Sequence, residues 1–415
     1  MANDIHITDL ANPQLTDMQK AALEFEKTLE VDLSRQSIMA EAEATVKLDD
    51  WGKDDFIKRL DLLCDQWNDD PELNNIGKLS MRNKLLQHTT SRLLIQDQWN
   101  RHPEIFDIEI REPIIVAGLP RSGTTHLLNL MASDSRLRSL PLWESYEPVP
   151  RPGEGTLDDG TDPRWHRCQR DWESMQASSP LISAMHPMDP NHIHEELELM
   201  GPNIGSYNYE WLSYAPRWRD HYYSEDQTYQ YEYMRDVLKL LTWQQRNTDR
   251  PTRWVLKCPQ HLEQLPILHK VFPDATIAVT QRDPIYVLRS TLYIIAYGQR
   301  LTRSRIMMDE ALEYWLDRIE HLLRSCVRDR PNLPADQSID IPFNRFIKDD
   351  VNWVEKIYAV ANLEMTDKAR QQLNSFVEEK QGDYGRIVYD LEGQFGVNIG
   401  ELNERFRFYT ETFES

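Results

Sequence analysis

The sequence predicts an α/β fold of three layers, in which a short parallel sheet follows a helical N-terminal region. Four short, continuous apolar runs are typical of buried parallel strands, and they span residues 114–117, 253–257, 275–280 and 338–341. Segments with apolar residues at helical spacing separate these runs. Strands that alternate with helices indicate βαβ units, so we expect the four runs to lie side by side in one parallel sheet.

Helical patterns also fill the first part of the chain. Apolar residues recur on one face of a predicted helix over residues 54–67, and residues 81–98 are a second helical segment. We therefore divide the chain into a helical N-terminal region, residues 1–110, and an α/β domain, residues 111–415. Nothing in the N-terminal region suggests chemistry, so we interpret it as a lid or an interface.

The composition fits a globular protein and argues against several classes. Of the 415 residues, 40% are apolar and 28% are charged, and the formal net charge of −21 disfavours a general nucleic-acid binder. No apolar run approaches the roughly 20 residues that span a bilayer, and the first residues lack the pattern of a secretion signal. The cysteines are far apart in sequence and indicate reduced thiols, so we expect a cytoplasmic protein without an integral membrane segment.

The segment Pro113–Leu128 predicts a site for a phosphate group. A predicted strand is followed by a turn and then by a helix, whose N-terminus offers unpaired N–H groups and the positive end of the helix dipole. Gly118 and Gly123 permit close approach of the backbone. The lysine that follows the second glycine in an ATP-binding P-loop is absent, so we describe the fold as P-loop-like. The side-chain donors of the turn are Arg121, Ser122, Thr124 and Thr125.

A second phosphate site is predicted at Arg282–Ser290. Here a predicted strand is followed by Arg-Asp-Pro and a helix, and proline suits the first helical turn. Arg282 lies at the end of the strand and Ser290 lies two helical turns further on, so both side chains can face one phosphate. Together with the first loop, this pattern indicates a nucleotide that carries phosphates at two places.

These segments resemble those of sulfotransferases that use 3′-phosphoadenosine 5′-phosphosulfate (PAPS) as the sulfuryl donor. Gly118–Thr125 resembles the loop that binds the 5′-phosphosulfate, and Arg282–Ser290 resembles the element that binds the 3′-phosphate. Arg253–Leu262 and Val271–Ala275 resemble segments of the bacterial branch, and the tyrosylprotein sulfotransferases are more distantly similar. The resemblance implies that the donor is PAPS, which carries phosphate at both ends of one ribose. The segment Tyr389–Gly396, near the C-terminus, resembles the same family more weakly.

The resemblance also implies roles for single residues. Arg121 would stabilise the leaving phosphate oxygen, and Lys257, at the end of a predicted strand, would supply a second cation. Sulfuryl transfer of this kind requires no metal. Glu144 lies where the tyrosylprotein sulfotransferases carry their catalytic glutamate. His261 is another candidate because it lies close to Lys257 in the sequence and so near the same edge of the predicted site. The candidates for a general base that takes the acceptor's proton are Glu144, His261, His186 and Glu195.

The segment His192–Glu198 combines two histidines with three acidic residues. Such side chains could hold a metal ion. We instead interpret the segment as the solvated acidic start of a helix, and we predict no metal site.

The acceptor side of the site is less well defined by the sequence. Residues around 160–250 are predicted to form a helical insertion that binds the acceptor, and tyrosines and tryptophans are dense between Tyr207 and Tyr233. These aromatic residues either line the acceptor site or pack a helical cap on the sheet. The resemblance implies a small-molecule acceptor, such as a phenol, sterol, lipid or sugar, and the aromatic segment could also serve as a contact in a homo-oligomer.

Two other functions are compatible with the sequence alone. One is a P-loop kinase that uses ATP, against which the missing lysine argues. The other is a module that binds a nucleotide without catalysis.

Overall fold

The computed structural model describes residues 4–379 and 385–413, which form short strands and many helices. The strands are β1 (Asp4–His6), β2 (Ile114–Ala117), β3 (Leu137–Arg138), β4 (Arg253–Lys257), β5 (Thr276–Gln281), β6 (Ser338–Pro342) and β7 (Arg386–Val388). The helices before β2 are α1 (Asp17–Glu26), α2 (Arg35–Val46), α3 (Phe56–Asn68) and α4 (Asn75–Arg101).

Helices also fill the connections between strands of the sheet. Those between β2 and β4 are α5 (Thr124–Ala132), α6 (Leu142–Tyr146), α7 (Pro163–Ser178), α8 (Ile182–Met185), α9 (Leu197–Met200), α10 (Asn208–Leu212), α11 (Pro216–Ser224) and α12 (Thr228–Gln244). Those after β4 are α13 (Leu265–Val271), α14 (Pro284–Thr302), α15 (Met308–Asp329), α16 (Phe343–Phe346), α17 (Asp350–Val360), α18 (Asp367–Glu379), α19 (Leu391–Phe395), α20 (Ile399–Arg405) and α21 (Arg407–Thr410). Turns of 3₁₀ helix span Pro103–Asp107, Gly201–Asn203, Pro259–Glu263 and Arg330–Asn332.

Five strands form one parallel sheet in the order β3-β4-β2-β5-β6. In the central strand, Ile115 lies opposite Leu256 of β4 and Ile277 of β5. From β2 the chain continues to one side of the sheet, and from β4 it continues to the other side. Open parallel sheets bind ligands beyond the carboxyl ends of the strands at such a change of direction, which here lies at the end of β2.

The two faces of the sheet pack against different cores. On one face, Ile115, Leu256 and Ile277 belong to a cluster with residues of α12 to α15. On the other face, Ile114 and Val255 pack with residues of α5, α17 and α18. Neighbouring residues such as Ile114 and Ile115 fall in different clusters because side chains alternate along a strand. Helices therefore cover both faces, and the three-layer α/β fold predicted from the sequence is confirmed.

The strand predictions agree closely with the structure. The runs at 114–117 and 253–257 form β2 and β4, and those at 275–280 and 338–341 form β5 and β6 with bounds shifted by one residue. Sequence analysis missed β3, because two residues are too few to produce a pattern. It also missed a separate two-stranded sheet, in which β1 pairs in parallel with β7 and Asp4 lies opposite Arg386. This pairing joins the two ends of the chain, which no local pattern can indicate.

The N-terminal helices have a core of their own. The segment predicted at 54–67 is α3, and the segment predicted at 81–98 lies within α4. Apolar residues of α3 and α4 pack against Tyr209, Trp218 and Tyr222 from α10 and α11. Much of the aromatic segment is therefore structural, because its rings attach the N-terminal helices to the rest of the protein. None of the helices in the described ranges is long and apolar enough to cross a bilayer.

Candidate active site

The loop after β2 turns the chain sharply at the carboxyl edge of the sheet. Arg121 and Gly123 both adopt left-handed backbone conformations, with φ of 66° and 85°. Glycine does so without steric penalty, but an arginine in this conformation has to be held by its surroundings. Gly123 precedes α5, and no described side chain caps that helix. The first N–H groups of α5 are therefore available to an anion at this edge.

The close approach of the loop to β5 explains Gly118. A Cβ atom at Gly118 would lie only 1.9 Å from Thr280 Oγ1. The Thr280 hydroxyl lies 2.7 Å from Ser122 Oγ, which also donates a hydrogen bond to the Leu119 carbonyl at 2.5 Å. The Ser122 hydroxyl, predicted as a ligand donor, is thus engaged within the loop itself.

The second predicted phosphate element lies directly beside this loop. Arg121 Nε donates a hydrogen bond of 3.0 Å to Ser290 Oγ, from a position 169 residues earlier in the chain. Arg282 Nη1 donates to the carbonyl oxygen of Arg121. Tyr389 OH lies 3.1 Å from Ser290 Oγ. The fold therefore joins the two predicted elements into one site.

Three guanidinium groups converge at this site. Within the described ranges, none of Arg121, Arg282 and Arg289 forms an ion pair with a carboxylate. Burial, together with the positive charges of Arg121 and Arg289, lowers the pKa of Arg282 to about 10. Arg289 Nε is buried and has no hydrogen-bond partner among the residues that the structure describes. Like charges held together in a partly buried site favour the binding of an anion that neutralises them.

Lys257, the last residue of β4, brings a buried ammonium group to the same loop. Its Nζ lies 3.2 Å from Thr125 Oγ1 and pairs with the carboxylate of Glu195. Its backbone N–H donates a hydrogen bond of 2.8 Å to Glu196 Oε2. Two consecutive carboxylates thus hold the side chain and the main chain of one lysine, which fixes the ammonium group beside Thr125.

The segment His192–Glu198 is not the solvated acidic helix start that we predicted. Glu196 is fully buried between the backbone N–H of Lys257 and His261, and Glu198 is also buried. The prediction was wrong because acidic residues in a sequence usually indicate contact with solvent. Here each carboxylate is compensated by a partner that is distant in the sequence, and only the fold brings the partners together.

Two of the predicted base candidates are enclosed by internal partners. His261 is fully buried, with its Nε2 2.6 Å from Glu196 Oε1 and its Nδ1 3.0 Å from Tyr231 OH. Glu144 is buried as well, and its Oε2 accepts a hydrogen bond of 2.5 Å from Arg138 Nη2. The structure therefore presents neither side chain to a molecule bound at the loop.

A cavity of about 1270 Å³ opens from the loop towards the N-terminal helices. Its wall contains most of the predicted site residues, whereas Gly118, Ser122 and Ser290 do not line it. Among the aromatic residues between Tyr207 and Tyr233, Trp211 lines this cavity. The predicted site residues in the wall are Arg121, Gly123, Thr124, Thr125, Glu195, His186, Lys257 and Arg282.

His186 and Glu195 are the base candidates that line the cavity. Burial, the charge of Arg121 and neighbouring histidines hold the pKa of His186 well below its usual value, so its imidazole is neutral at pH 7. Burial raises the pKa of Glu195, and the nearby ammonium group of Lys257 offsets only part of this effect. A neutral imidazole and a carboxylate with a raised pKa are both suited to accept a proton.

Sequence reasoning missed three residues that complete this site. Arg289 lies on α14 directly before Ser290, so an arginine next to a predicted site residue was the available signal. Tyr389 lies in the C-terminal segment that shows the weaker resemblance, but its contact with Ser290 depends on the fold. Glu196 gave no usable signal, because its role depends on burial. In residues 4–379 and 385–413, no group of three or more His, Cys, Asp or Glu side chains is arranged to hold a metal ion.

Comparisons with known proteins agree with this architecture. The family model described as "Sulfotransferase family" matches residues 113–367. The crystal structure of sulfotransferase STF1 from Mycobacterium tuberculosis H37Rv is similar with a TM-score of 0.76 at 27% sequence identity, over 90% of this chain and 98% of that chain. Sulfotransferase STF9 from Mycobacterium avium has a TM-score of 0.80 at 21% identity, over 93% of this chain and 98% of that one, and therefore the same fold. No match was found among curated proteins.

Proposed function

This chain belongs to the sulfotransferase family, whose model covers more than half of it, and we propose that it transfers a sulfuryl group from PAPS to a hydroxyl group of a small-molecule acceptor. The convergence of Arg121, Arg282 and Arg289 beside an uncapped helix N-terminus carries this proposal. The phosphates of PAPS lie on the 3′ and 5′ positions of one ribose. They therefore need two adjacent anion sites, unlike the consecutive phosphates of ATP, which need one extended site.

The 5′-phosphosulfate is assigned to the loop after β2. The first N–H groups of α5 and the hydroxyls of Thr124 and Thr125 supply neutral donors, and Arg121 and Lys257 supply charge. Gly118 and Ser122 support this loop from behind through Thr280. Their contribution to donor binding is therefore to shape the backbone.

The 3′-phosphate is assigned to Arg282 and Ser290. Tyr389 adds a hydroxyl at the same place, and Arg289 adds a further guanidinium. Ser290 accepts a hydrogen bond from Arg121. Its own hydroxyl hydrogen can be donated to a phosphate oxygen at the same time, because a hydroxyl can both donate and accept.

In the proposed reaction, the acceptor oxygen attacks the sulfur atom in line with the bond to the 5′-phosphate. A new S–O bond to the acceptor forms as the bond to the bridging oxygen breaks, and the electron pair stays on the leaving phosphate. Arg121 and Lys257 stabilise the charge that develops there. The products are a sulfate ester and 3′,5′-diphosphoadenosine.

We assign the general base to Glu195. It lines the cavity next to Lys257, and its raised pKa makes it a stronger base than an ordinary glutamate. It would take the proton from the acceptor hydroxyl as the new bond forms. His186 lines the same cavity and is the second candidate, whereas Glu144 and His261 lack access to the cavity.

A thermal-shift titration with 3′,5′-diphosphoadenosine, AMP and Mg-ATP tests the donor assignment. At about 100 times its dissociation constant a ligand adds about 2.7 kcal/mol to the free energy of unfolding. We expect the diphosphate to raise Tm at much lower concentration than AMP, because only the diphosphate occupies both anion sites. A larger response to Mg-ATP would favour the kinase, and equal responses to the diphosphate and AMP would contradict the second anion site.

The same titration with a variant of Arg282 tests the assignment of the 3′-phosphate. In Arg282→Ala the advantage of the diphosphate over AMP should fall at least tenfold, because the removed charge is assigned to the 3′-phosphate. Any loss of affinity for AMP measures the effect of losing the hydrogen bond from Arg282 to the Arg121 carbonyl. Arg111→Ala is the matched control, since Arg111 is an exposed arginine that pairs with Glu109 away from the site. Binding of the diphosphate that is unchanged in Arg282→Ala would remove Arg282 from the donor site.

A further inference from the structure

We propose that the acceptor of this enzyme is an amphiphile, with a hydroxyl-bearing polar head at the catalytic residues and an alkyl chain that extends to the mouth of the cavity beside α1. This inference rests on the proposed function and specifies its substrate class. It follows from three features: the helix that crosses the mouth, the apolar side chains that line the cavity near this helix, and the exposed apolar side chains around it.

Helix α1 crosses the mouth of the cavity between two other helices. Near its start, Gln19 Nε2 donates a hydrogen bond of 2.8 Å to the carbonyl of Ser178 at the end of α7. At its end, Glu26 Oε1 accepts a hydrogen bond of 2.8 Å from the backbone N–H of Asn75 at the start of α4. Between these attachments, Ala22 lines the cavity. The small alanine leaves room beneath the helix.

Several apolar side chains line the part of the cavity near α1, alongside the polar residues Ser80, Ser178 and Thr302. Asn74 Nδ2 donates to the carbonyl of Leu301 at 3.0 Å, so the last turn of α14 meets the first turn of α4. Leu301 and Ile76 line the cavity at this junction. Arg303, directly after α14, donates a hydrogen bond of 3.2 Å to Ser213 at the end of α10. The end of α10 therefore lies at the same junction. The lining residues that α10 contributes are Trp211 and Leu212.

The part of the cavity near α1 is far from the donor site. Helix α14 carries Ser290 at the second anion site and Leu301 in the part of the cavity near α1. At a rise of 1.5 Å per residue, these two residues are about 16 Å apart along the helix. The cavity of about 1270 Å³ also exceeds the volume of a single sugar or phenol, so one placed with its hydroxyl at Glu195 and Lys257 does not fill it. An extended alkyl chain occupies more of the cavity and can contact the apolar residues that line the part near α1.

The apolar surface continues outside the mouth. Met18 and Phe25 flank Ala22 on one face of α1, and their side chains are 53% and 61% exposed. Met175, one turn before the Ser178 contact on α7, lines the cavity and is 42% exposed. Exposed large apolar side chains next to a cavity mark a binding surface. They extend the contact for the alkyl chain beyond the cavity.

The test compares alkyl β-D-glucosides that share one head and differ in chain length. With PAPS as donor, kcat/KM should rise about fourfold for each added methylene that becomes buried, from the methyl to the dodecyl glucoside. Equal kcat/KM values for the methyl and dodecyl compounds would overturn the proposal. If no glucoside is turned over, the same pair is compared by thermal shift with 3′,5′-diphosphoadenosine bound, below the micelle concentration. A dodecyl response equal to the methyl response there would also overturn it.

Variants at the mouth of the cavity test where the alkyl chain of the acceptor binds. Phe25→Asp combined with Met175→Asp places charges beside the proposed path, and kcat/KM for the dodecyl glucoside should fall at least tenfold while that for the methyl glucoside stays within twofold. Val377→Asp, at an exposed apolar position on α18 outside the cavity lining, is the control and should change neither value. An equal loss in the control would indicate a non-specific detergent effect and would overturn the assignment of the mouth.

The response to 3′,5′-diphosphoadenosine is measured in the same samples. Loss of this response would contradict the donor assignment and with it the proposed function. A normal response together with no dependence on chain length would contradict only the amphiphilic acceptor.

Discussion

Arg121 combines an unusual backbone conformation with a half-buried charge. Arg121 has a φ of 66°, and its side chain and its carbonyl are bound to Ser290 and Arg282. The backbone conformation aims the guanidinium along the loop instead of into solvent. The strain at this residue is offset by contacts from the second anion element, so the two elements support each other.

Substitution Arg121→Ala should reduce kcat at least 100-fold. It removes the charge assigned to the leaving phosphate oxygen, and loss of one such donor typically has this size of effect. Steady-state kinetics with PAPS is the measurement, and Arg121→Lys, which keeps a charge but not the planar fork, should retain intermediate activity. Activity of Arg121→Ala within a few-fold of wild type, in a folded variant, would contradict the role of Arg121.

The base assignment predicts a pH dependence. Because burial raises the pKa of Glu195, the protonated and inactive form persists to a pH above the usual range of a glutamate. The value of kcat/KM should therefore fall as pH decreases through this raised pKa. Glu195→Gln should lower kcat by 100-fold or more and abolish this limb of the profile.

His186→Asn serves as the comparison for Glu195→Gln. The pKa of His186 is held well below its usual value, so a profile controlled by His186 would stay flat from pH 7 down through 6.5. We expect His186→Asn to retain most of the activity. The opposite ranking of the two variants would move the base from Glu195 to His186.

At the scale of elements, the loop between β2 and α5 depends on its contact with β5. Strand, loop and helix are recognisable in the sequence because glycine, proline and hydroxyl residues follow a continuous apolar run. The packing of the loop is not recognisable there. Gly118 lies against Thr280, and Thr280 also bonds to Ser122, so β5 supports the loop of the proposed anion site from behind.

Gly118→Ala should destabilise the protein and weaken donor binding together. Its Cβ would lie 1.9 Å from Thr280 Oγ1, and overpacking of this kind costs about 1–3 kcal/mol of unfolding free energy. Gly155→Ala, where no atom lies within 4 Å of the added Cβ, should change stability by less than about 0.5 kcal/mol. Urea denaturation measures both.

A double variant identifies the cause of the Gly118→Ala effect. Adding Thr280→Ala removes the clashing hydroxyl, so the double variant should lose less stability than the sum of the single variants. Strict additivity would show that the close contact with Thr280 is not the origin of the destabilisation.

At the scale of the whole molecule, buried ion pairs connect helices that are distant in sequence. Arg318 on α15 pairs with Glu263 after β4 and with Glu210 on α10. Glu198 pairs with Lys84 and bonds to His88 on α4. Removing one partner from such a pair leaves a buried charge uncompensated, which is strongly destabilising. These pairs therefore make the attachment of the helices to the sheet depend on ionisation.

Stability should fall in acid because of two of these carboxylates. Burial alone raises their pKa values, but Lys84 and His88 lower that of Glu198 to about 2, and Arg318 and His321 lower that of Glu263 to about 2. Both values lie below the unfolded value of about 4.3. The stabilisation is therefore complete above about pH 5 and is lost as pH falls towards 2. Denaturation at pH 6, 4 and 3 measures this loss, and equal stabilities at pH 6 and pH 3 would contradict it.

The sequence by itself determined four of the five strands of the main sheet and indicated where the proposed anion loop and second anion element lie. Each of these depends on residues within about ten positions of one another, where periodicity and turn chemistry are informative. Arg121, Arg282 and Lys257 could be proposed as site residues for the same reason, since each lies at the end of a predicted strand or within a few residues after it. Parallel strands end at a common edge, so the sequence pattern also predicts that these residues are neighbours.

Only the tertiary structure decided which acidic residues and histidines face the cavity. Glu144, Glu195 and His261 are all candidate bases in the sequence. In the structure, Arg138 bonds to Glu144 and Glu196 bonds to His261, and of these three candidates Glu195 lines the cavity. The part of the cavity near α1 likewise depends on the meeting of α1, α4, α10 and α14. The physical reason is that burial and ion pairing arise from contacts between residues far apart in the chain, and local sequence carries no record of them.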